Sequence, residues 1–358
     1  MKLKKLSLKN FRNFENLESE FCDGINIFCG ENGSGKTNLL EAVWMLSGVK
    51  SFRGTHDKDL IKLGQKNAEI KAISESGGVE RELKLTFGDK KTAFVENKAQ
   101  KSPQELSEYV GISCFSPADL ELASEGPSVK RKFLDLTLSV LFPKYAAAMK
   151  IYLRALDQRN AVLRDARYHR EIEGMLYPIE FNMERAAEVI VAYRKRLIEL
   201  YSEIFPEIYK KISGGKETAG IVYLPKCEKG LSLALKNSRR EDILSGNTSF
   251  GPHRDDVLLT LDNGDIKVFA SQGQKRSVAL SLKLAEAAVI ERVRGEKPII
   301  LLDDVMSELD PARQARLIMS LDGSQVFITC CDRENIKSLE KGKVFEIKEG
   351  RCDNCISI

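Results

Sequence analysis

The sequence predicts an α/β protein, in which one α/β domain is built from both ends of the chain and carries a helical insertion. Three observations predict this class. A glycine-rich loop lies between a short apolar run and a helical pattern near the N terminus, the middle of the chain is rich in helical patterns, and strand patterns return toward the C terminus. At ~150 residues per domain, a chain of 358 residues has room for two domains, or for one large domain with an insertion.

Strand patterns dominate the N-terminal part. The apolar run Ile25–Cys29 predicts a short buried strand, and a helix is predicted over 38–46, after the glycine-rich loop. Three further segments predict short antiparallel strands joined by glycine-containing turns, namely 69–75, 80–87 and 91–95.

Helical patterns replace them from about residue 104 to 210, where long stretches lack Gly and Pro. Beyond this region, Asn263-Gly264 predicts a hairpin turn. The elements predicted around and after that turn are strands at 257–261 and 266–269, a helix at 273–294, and buried strands at 299–302 and 326–330. The predicted division is therefore a head formed by 1–103 and 241–358, with 104–240 as the helical insertion.

Composition excludes several classes of protein. Lys and Arg total 56 against 52 for Asp and Glu, so overall charge gives no argument for a nucleic-acid partner. No run of ~18 apolar residues and no signal-peptide pattern is present, so we expect a cytoplasmic protein without a membrane partner. The eight cysteines favour reduced thiols over a disulfide framework, although Cys352 and Cys355 form one C-x-x-C pair that leaves zinc or redox chemistry open.

The glycine-rich loop matches the phosphate-binding pattern G-x-x-x-x-G-K-S/T in full. Its residues are Gly30, Glu31, Asn32, Gly33, Ser34, Gly35, Lys36 and Thr37, and Asn38 continues into the helix. Glycines let backbone N–H groups surround phosphates, and the helix N terminus adds a favourable dipole. We expect Lys36 to reach the β- and γ-phosphates of ATP and Thr37 to bind Mg²⁺.

A second element, which ends in two aspartates, suits the same phosphate chemistry. The predicted strand 299–302 ends in Asp303 and Asp304, and the carboxyl end of a buried parallel strand faces the ligand in α/β folds. We expect Asp303 to hold Mg²⁺ and Asp304 to polarise the attacking water, with Lys36 as the third catalytic residue. An ordinary strand end with a turn is the alternative.

The start of the helix predicted at 273–294 could form a second phosphate-binding end. Ser271 can cap it, Gly273 gives backbone freedom, and Gln274 lies in its first turn. One chain would then hold two phosphate-binding helix ends but only one P-loop. The physical solution is a homodimer, in which Ser271 of one subunit meets the γ-phosphate held by the other. An ordinary capped helix is the alternative.

Together these elements resemble the ABC-type ATPase heads, and the match is closer to the RecF family, which is related to SMC heads. The resemblance extends over nearly the whole chain and includes the segments 11–13, 50–53, 116–120, 126–127, 130–135, 156–160, 251–256, 272–276 and 301–310. It implies a mixed sheet with helices, an antiparallel β subdomain and a helical insertion. It also implies that Asp310 acts at the dimer interface, and that Arg12 and Asn13 lie near the nucleotide.

The resemblance further implies ATP-dependent dimerisation, weak ATP hydrolysis and binding of double-stranded DNA. Action at gapped DNA with RecR and RecO, helping to load recombinase, is also implied. Two departures from generic ABC heads suit slow hydrolysis and argue against a transporter subunit. Residues 114–117 lack the usual Gln, and Thr329 stands where transporter heads place a switch His.

The residues themselves support DNA binding less strongly than the family resemblance does. Basic clusters at 130–132, 164–170 and 194–196 could neutralise phosphates, or could be solvated helix faces. His253 and Arg254 follow a Gly-Pro bend, and either line the nucleotide face or belong to a structural turn. A P-loop phosphotransferase acting on a small-molecule acceptor is the alternative function, although it would leave the residues around Ser271 and Asp310 without a purpose.

Overall fold

The glycine-rich loop follows β3 (Ile25–Cys29), a strand inside a six-stranded sheet. The structure is a computed structural model that describes residues 1–166, 172–215, 217–227, 230–331 and 342–357. The strands of this sheet, in spatial order, are β15 (Arg351–Ser357), β14 (Lys343–Lys348), β3 (Ile25–Cys29), β13 (Val326–Cys330), β12 (Ile299–Leu302) and β8 (Ile112–Phe115). All neighbours are parallel except β15, which runs antiparallel to β14. The predicted strands at 25–29, 299–302 and 326–330 are confirmed.

An antiparallel sheet packs beside it. Its strands, in spatial order, are β2 (Phe14–Glu20), β1 (Lys2–Phe11), β4 (Ala68–Ser76), β5 (Val79–Phe87), β6 (Thr92–Val95) and β7 (Lys98–Ala99). Alternating burial along β4 fits a sheet with one face on the core. The three strands predicted here are confirmed to within one residue at each end. β1 and β2 were not predicted, although Leu6 and Leu8 of β1 show the same alternating burial.

The described part of the chain also contains α-helices. They are α1 (Lys36–Met45), α2 (Pro127–Leu141), α3 (Pro143–Arg164), α4 (Ile172–Ser213), α5 (Leu231–Asn237), α6 (Arg239–Ser245), α7 (Ile266–Phe269), α8 (Gln272–Arg294) and α9 (Pro311–Ser320). Short 3₁₀ segments occupy Asp57–Leu60, Pro103–Glu108, Pro117–Ala123, Pro252–Arg254 and Met306–Glu308. The long helix α4 packs against α3 on one side and α8 on another, through a core that includes Tyr145, Tyr201 and Phe205. The helix predicted at 273–294 is confirmed as α8.

A small three-stranded sheet lies beside these helices, with β9 (Ala219–Leu224) and β11 (Gly264–Asp265) flanking β10 (Asp256–Leu261). The predicted hairpin turn is present, and Asp262 and Asn263 both have positive φ, at 46° and 67°. The predicted strand at 266–269 is wrong, because this segment is the short helix α7. Asp265 caps that helix by accepting a hydrogen bond from the Lys267 N–H at 2.8 Å, and this local bond favours a helical turn.

Two pairings connect the segments of the predicted division. β8 lies within 104–240 but pairs with β12 of the head, and β9 pairs with β10 across residue 240. The mixed sheet, the antiparallel subdomain and the long helices agree with the predicted α/β class, whereas the three-segment division stays a proposal. None of the helices in the described part of the chain combines the length and apolar character needed to cross a membrane.

Candidate nucleotide site

The loop after β3 is held in shape by its glycines and by Asn13. Gly33 and Gly35 have φ values of 83° and 117°, a region that side chains rarely adopt. A Cβ on Gly35 would lie 2.5 Å from Asn13 Nδ2, so a larger residue would collide there. Asn13 Nδ2 also donates a hydrogen bond to the Ser34 carbonyl at 2.9 Å. Asn13 therefore supports the loop, whose shape depends on glycine.

Lys36 folds back over this loop. Its Nζ donates hydrogen bonds to the carbonyls of Gly30 at 2.6 Å and Glu31 at 2.9 Å. Ser34 Oγ is buried and has no hydrogen-bond partner among the described residues. A buried hydroxyl of this kind costs free energy unless a ligand satisfies it. The loop therefore offers an ammonium group and an unsatisfied hydroxyl to an anion such as a polyphosphate.

The two predicted Mg²⁺ ligands are brought together. Thr37 Oγ1 donates a hydrogen bond to Asp303 Oδ1 at 2.8 Å, and Thr329 Oγ1 donates to the same oxygen at 3.0 Å. Burial raises the pKa of Asp303, and the hydrogen bonds from the two threonines oppose that rise. A hydroxyl and a carboxylate oxygen in contact are hard ligands of the kind Mg²⁺ takes, so these residues fit the ion.

Asp304 has a different environment from Asp303. Its φ of 53° is rare for a residue other than glycine, and such backbone strain is concentrated at functional sites. The Asp304 N–H donates to Thr329 Oγ1 at 2.8 Å, and Ser307 Oγ donates to the Asp304 carbonyl at 2.8 Å. These contacts hold the strained turn after β12 and keep Asp304 at the cleft.

The cleft itself has a volume of about 300 Å³. It is lined by Asn32, Gly33, Gly35, Lys36, Thr37, Asn38, Arg53, Asp304, Thr329 and Cys331. Arg53 and Cys331 are not among the predicted site residues, and Thr329 is identified only as occupying the position of a transporter's switch His. Arg53 Nη1 donates to Asn38 Oδ1 at 3.1 Å, and Cys331 Sγ donates to Asn32 Oδ1 at 2.9 Å. An arginine shortly after the helix of a P-loop was the available signal for Arg53.

Arg12 does not line this cleft. Its guanidinium donates two hydrogen bonds to the carboxylate of Glu41, at 2.8 and 3.0 Å, and a third to Thr55 Oγ1 at 2.9 Å. Glu41 is fully buried on α1. Arg12 therefore braces the helix that follows the loop, and its neighbour Asn13 is the one that contacts the loop.

The residues expected to act on a second subunit's nucleotide also lie outside the cleft lining. Ser271 caps α8, as predicted, by accepting from the Gln274 N–H, and Gln274 Oε1 accepts from the Ser271 N–H at 2.6 Å. Asp310 caps α9 by accepting from the Arg313 N–H at 3.0 Å. Gly273 lies in the first turn of α8. Within one chain, these groups are therefore separate from the phosphate loop's cleft.

Two of the predicted basic clusters contain buried structural residues. Lys130 Nζ donates to the Val257 carbonyl at 2.9 Å. Arg194 pairs with Asp135 at 2.8 Å and with Asp255 at 3.0 Å. Both side chains are buried, so neither of the two alternatives, a phosphate contact or a solvated helix face, describes Lys130 and Arg194. Of the remaining cluster, residues 167–170 lie outside the described part of the chain.

His253 also has a structural role. Its Nε2 donates to the Thr248 carbonyl at 3.1 Å, which leaves Nδ1 to accept from the Tyr152 hydroxyl at 2.6 Å. Burial lowers the pKa of His253 to about 4. His253 and Arg254 do not line the cleft, so the structure favours the structural turn over the nucleotide face.

The cysteines fit the expectation of small buried groups at Cys29 and Cys330, whose Sγ atoms lie 2.9 Å apart on neighbouring strands. Within the described residues, no group of three or more His, Cys, Asp or Glu side chains is arranged to hold a metal ion. The side chain of Cys355 lies outside what the structure describes, so the C-x-x-C alternative stays open.

The chain is similar to known proteins over almost its whole length. The family model for the RecF/RecN/SMC N terminal domain matches residues 2–352. The chain is 35% identical over 355 residues to the DNA replication and repair protein RecF of Lachnoclostridium phytofermentans, covering 98% of this chain and 99% of the relative. It is 37% identical over 365 residues to the protein of the same name from Streptococcus gordonii, covering 98% and 99%.

Solved structures of related proteins have the same fold as this chain. A structure described as the recombination mediator protein RecF-ATPrS in the RecFOR pathway has a TM-score of 0.91 and 32% identity, covering 98% of this chain and 97% of the other. An SMC head bound to the C-terminal winged-helix domain of ScpA has a TM-score of 0.57 at 18% identity, which shows the shared fold alone. The fold is that of an ABC-type ATPase head with a helical insertion, and the chain belongs to the RecF family.

Proposed function

We propose that this protein is an ATP-dependent DNA-binding protein of replication and recombinational repair. One observation carries the proposal: Thr37 Oγ1 and Asp303 Oδ1, on opposite parts of the sequence, meet at 2.8 Å beside the phosphate loop. This contact joins the two halves of an ATPase site. Relatives over the full chain are named DNA replication and repair proteins, and one similar structure is described as RecF-ATP.

In the proposed site, the loop from Gly30 to Thr37 binds the phosphates of ATP, with Lys36 on the β- and γ-phosphates. Mg²⁺, held by Thr37 and Asp303, would neutralise charge on the phosphates. Asp304 orients the water for hydrolysis. We expect hydrolysis to be weak, because Thr329 stands where transporter heads place a switch His, and its hydroxyl is already shared by Asp303 and Asp304.

A second copy of the chain completes this site in the proposal. Ser271, Gly273 and Gln274 of one subunit face the γ-phosphate held by the other, and Asp310 acts at the interface. Ser271 is exposed at the first turn of a long helix, and neither it nor Asp310 lines the cleft of its own chain. ATP therefore closes a homodimer, and hydrolysis opens it.

The proposed dimer clamps double-stranded DNA near gaps and works with RecR and RecO to help load recombinase. Exposed basic side chains at Lys132, Lys195 and Arg196 are available for phosphate contacts. The relatives that support this function are bacterial, and we propose that the protein acts on the chromosome in the cytoplasm. The alternative phosphotransferase is not favoured, since full-length relatives are named for DNA replication and repair.

A change at the cap of α8 tests this proposal. Ser271→Arg places a bulky cation where the γ-phosphate of the partner would approach, so the variant should bind ATP normally and form no ATP-induced dimer. Light scattering with and without ATP measures the dimer, and titration with a fluorescent ATP analogue measures binding. Ser232→Arg, at an exposed position of α5, is the matched control. Dimers of the Ser271→Arg protein that persist at wild-type concentrations would refute the trans arrangement.

A further inference from the structure

Arg313 contacts both elements that the proposed dimer presents to its partner. It lies in the first turn of α9, and its side chain is about 28% exposed. From there, one end of the guanidinium pairs with the carboxylate of Asp310, and the other reaches the first turns of α8. Among the described residues, its contacts therefore link two segments that are about 40 residues apart.

The contacts to α8 are specific for an arginine. Nη2 donates to the Gly273 carbonyl at 3.2 Å, while Nε and Nη2 both donate to Ser277 Oγ at 3.1 Å. Ser277 is buried, and its own hydroxyl proton goes to the Gly273 carbonyl at 3.0 Å. The lone pairs of Ser277 Oγ are thus left to accept from Arg313. A planar fork of N–H donors fits this set of acceptors, whereas a lysine ammonium lacks that geometry.

The contacts to Asp310 are equally direct. Its carboxylate accepts from the Arg313 N–H at 3.0 Å and forms an ion pair with the guanidinium. The backbone N–H and the guanidinium of Arg313 lower the pKa of Asp310, so the carboxylate stays charged. Arg313 therefore contacts the carboxylate of Asp310 and the backbone of Gly273 at the same time.

We propose that Arg313 is a positioning residue that joins Asp310 to the helix end at Ser271–Gln274, so that both reach the partner's nucleotide as one rigid unit. This inference rests on the proposed function, in which those residues complete a shared ATP site. Arg313 itself does not touch the nucleotide in this proposal. It acts by limiting how far the two segments move relative to each other before the dimer closes.

Other contacts keep the helix end folded without Arg313. The capping pair between Ser271 and Gln274 is local to α8. Gln274 Nε2 also donates to Glu217 Oε1 at 2.5 Å, and Glu217 Oε2 accepts from the Tyr209 hydroxyl at 2.7 Å. Removal of the guanidinium should therefore loosen the link between the segments and leave α8 in place.

The test compares R313A and R313K with R292A, an arginine of α8 whose ion pair with Glu203 is exposed on both sides. We expect R313A to raise the protein concentration needed for half-dimerisation with ATP about tenfold, as loss of hydrogen bonds from a charged group predicts. The kcat for ATP should fall about tenfold with little change in KM. R313K, which keeps only the charge, should lie between R313A and R292A, and R292A should match the wild type.

Hydrogen exchange separates this inference from the proposed function. In R313A, amides at 271–277 and at 306–313 should both exchange faster, because the hydrogen bonds of Arg313 between the segments are lost and only the exposed contact of Arg276 with Glu308 remains. If only α9 changes, or if R313A matches R292A in dimerisation and kcat, the coupling role is refuted. If the wild-type protein forms no dimer with ATP, the proposed function fails, and the exchange pattern still decides whether Arg313 joins the two segments.

Discussion

Residues that are adjacent or alike in sequence have different environments in this protein. Asp303 is buried and accepts from Thr37 and Thr329, whereas Asp304 lies on a strained turn at the cleft. The first environment suits a metal ligand and the second a group that contacts water. Arg12 and Asn13 diverge in the same way, since Arg12 braces α1 through Glu41 and Asn13 contacts the loop.

His253 should make the stability of the protein depend on pH. Its pKa falls from 6.5 to about 4 on folding. The unfolded chain therefore binds the proton more readily, and the free energy of unfolding should decrease as pH falls from 6.5 to 4, by up to about 3 kcal/mol from this residue. In His253→Gln this contribution should disappear, so the difference between variant and wild type should shrink as the solution becomes more acidic.

Urea unfolding at pH 7, 6, 5 and 4 measures that difference. His56→Gln is the control, because His56 is exposed on the loop that precedes a 3₁₀ segment. A constant difference between His253→Gln and wild type at all four pH values would contradict the linkage. A difference that varies equally in His56→Gln would contradict its assignment to the buried ring.

At the scale of elements, buried ion pairs join the long helices to each other and to residues beyond position 240. Arg159 of α3 pairs with Glu180 of α4 at 2.9 Å and with Asp242 of α6 at 2.8 Å. Arg194 of α4 pairs with Asp135 of α2 and with Asp255 before β10. Both arginines are buried, and each joins three elements.

Arg194→Ala should lower the free energy of unfolding by about 3 kcal/mol, because it leaves Asp255 buried without its cation. Asp255 keeps hydrogen bonds from the Tyr223 hydroxyl and the Lys226 N–H, which limit the loss. Urea unfolding at pH 7 measures the change. Lys195→Ala, at the exposed neighbouring position, should change stability by less than about 0.5 kcal/mol. Equal stability of the two variants would show that Arg194 has no structural role.

At the scale of the whole molecule, strands from distant parts of the chain form one cleft. β3 and β12 are separated by β13 in the sheet, yet their carboxyl ends bring Thr37 and Asp303 into contact. β8, within residues 104–240, pairs with β12 of this sheet, whereas β9 pairs with β10 in the separate three-stranded sheet.

The affinity of the whole protein for DNA should depend on salt concentration. If exposed basic residues contact phosphates, affinity should fall steeply with salt and depend little on sequence. Lys195→Glu/Arg196→Glu should weaken binding and reduce the slope of log affinity against log salt by about one per lost contact. Fluorescence anisotropy with two unrelated duplexes, at several salt concentrations, measures both quantities in the presence of ATP.

The matched control is Lys66→Glu/Lys90→Glu, which makes the same change in net charge at exposed turns of the antiparallel sheet. This control should bind DNA with the salt slope of the wild type. A flat salt response of the wild-type protein would contradict phosphate contact altogether. Equal weakening by both double variants would indicate an effect of total charge instead of a contact surface at Lys195 and Arg196.

The sequence by itself determined the features that depend on neighbouring residues. The loop from Gly30 to Thr37, the cap at Ser271 and the buried strands at 25–29, 299–302 and 326–330 follow from local spacing and apolar runs. Only the tertiary structure decided which residues meet across the chain. It placed Arg53 and Cys331 at the cleft, buried Lys130 and Arg194, and joined Asp310 to Gly273 through Arg313. The physical reason is that burial and long-range hydrogen bonds depend on how sheets and helices pack, and no local pattern encodes that packing.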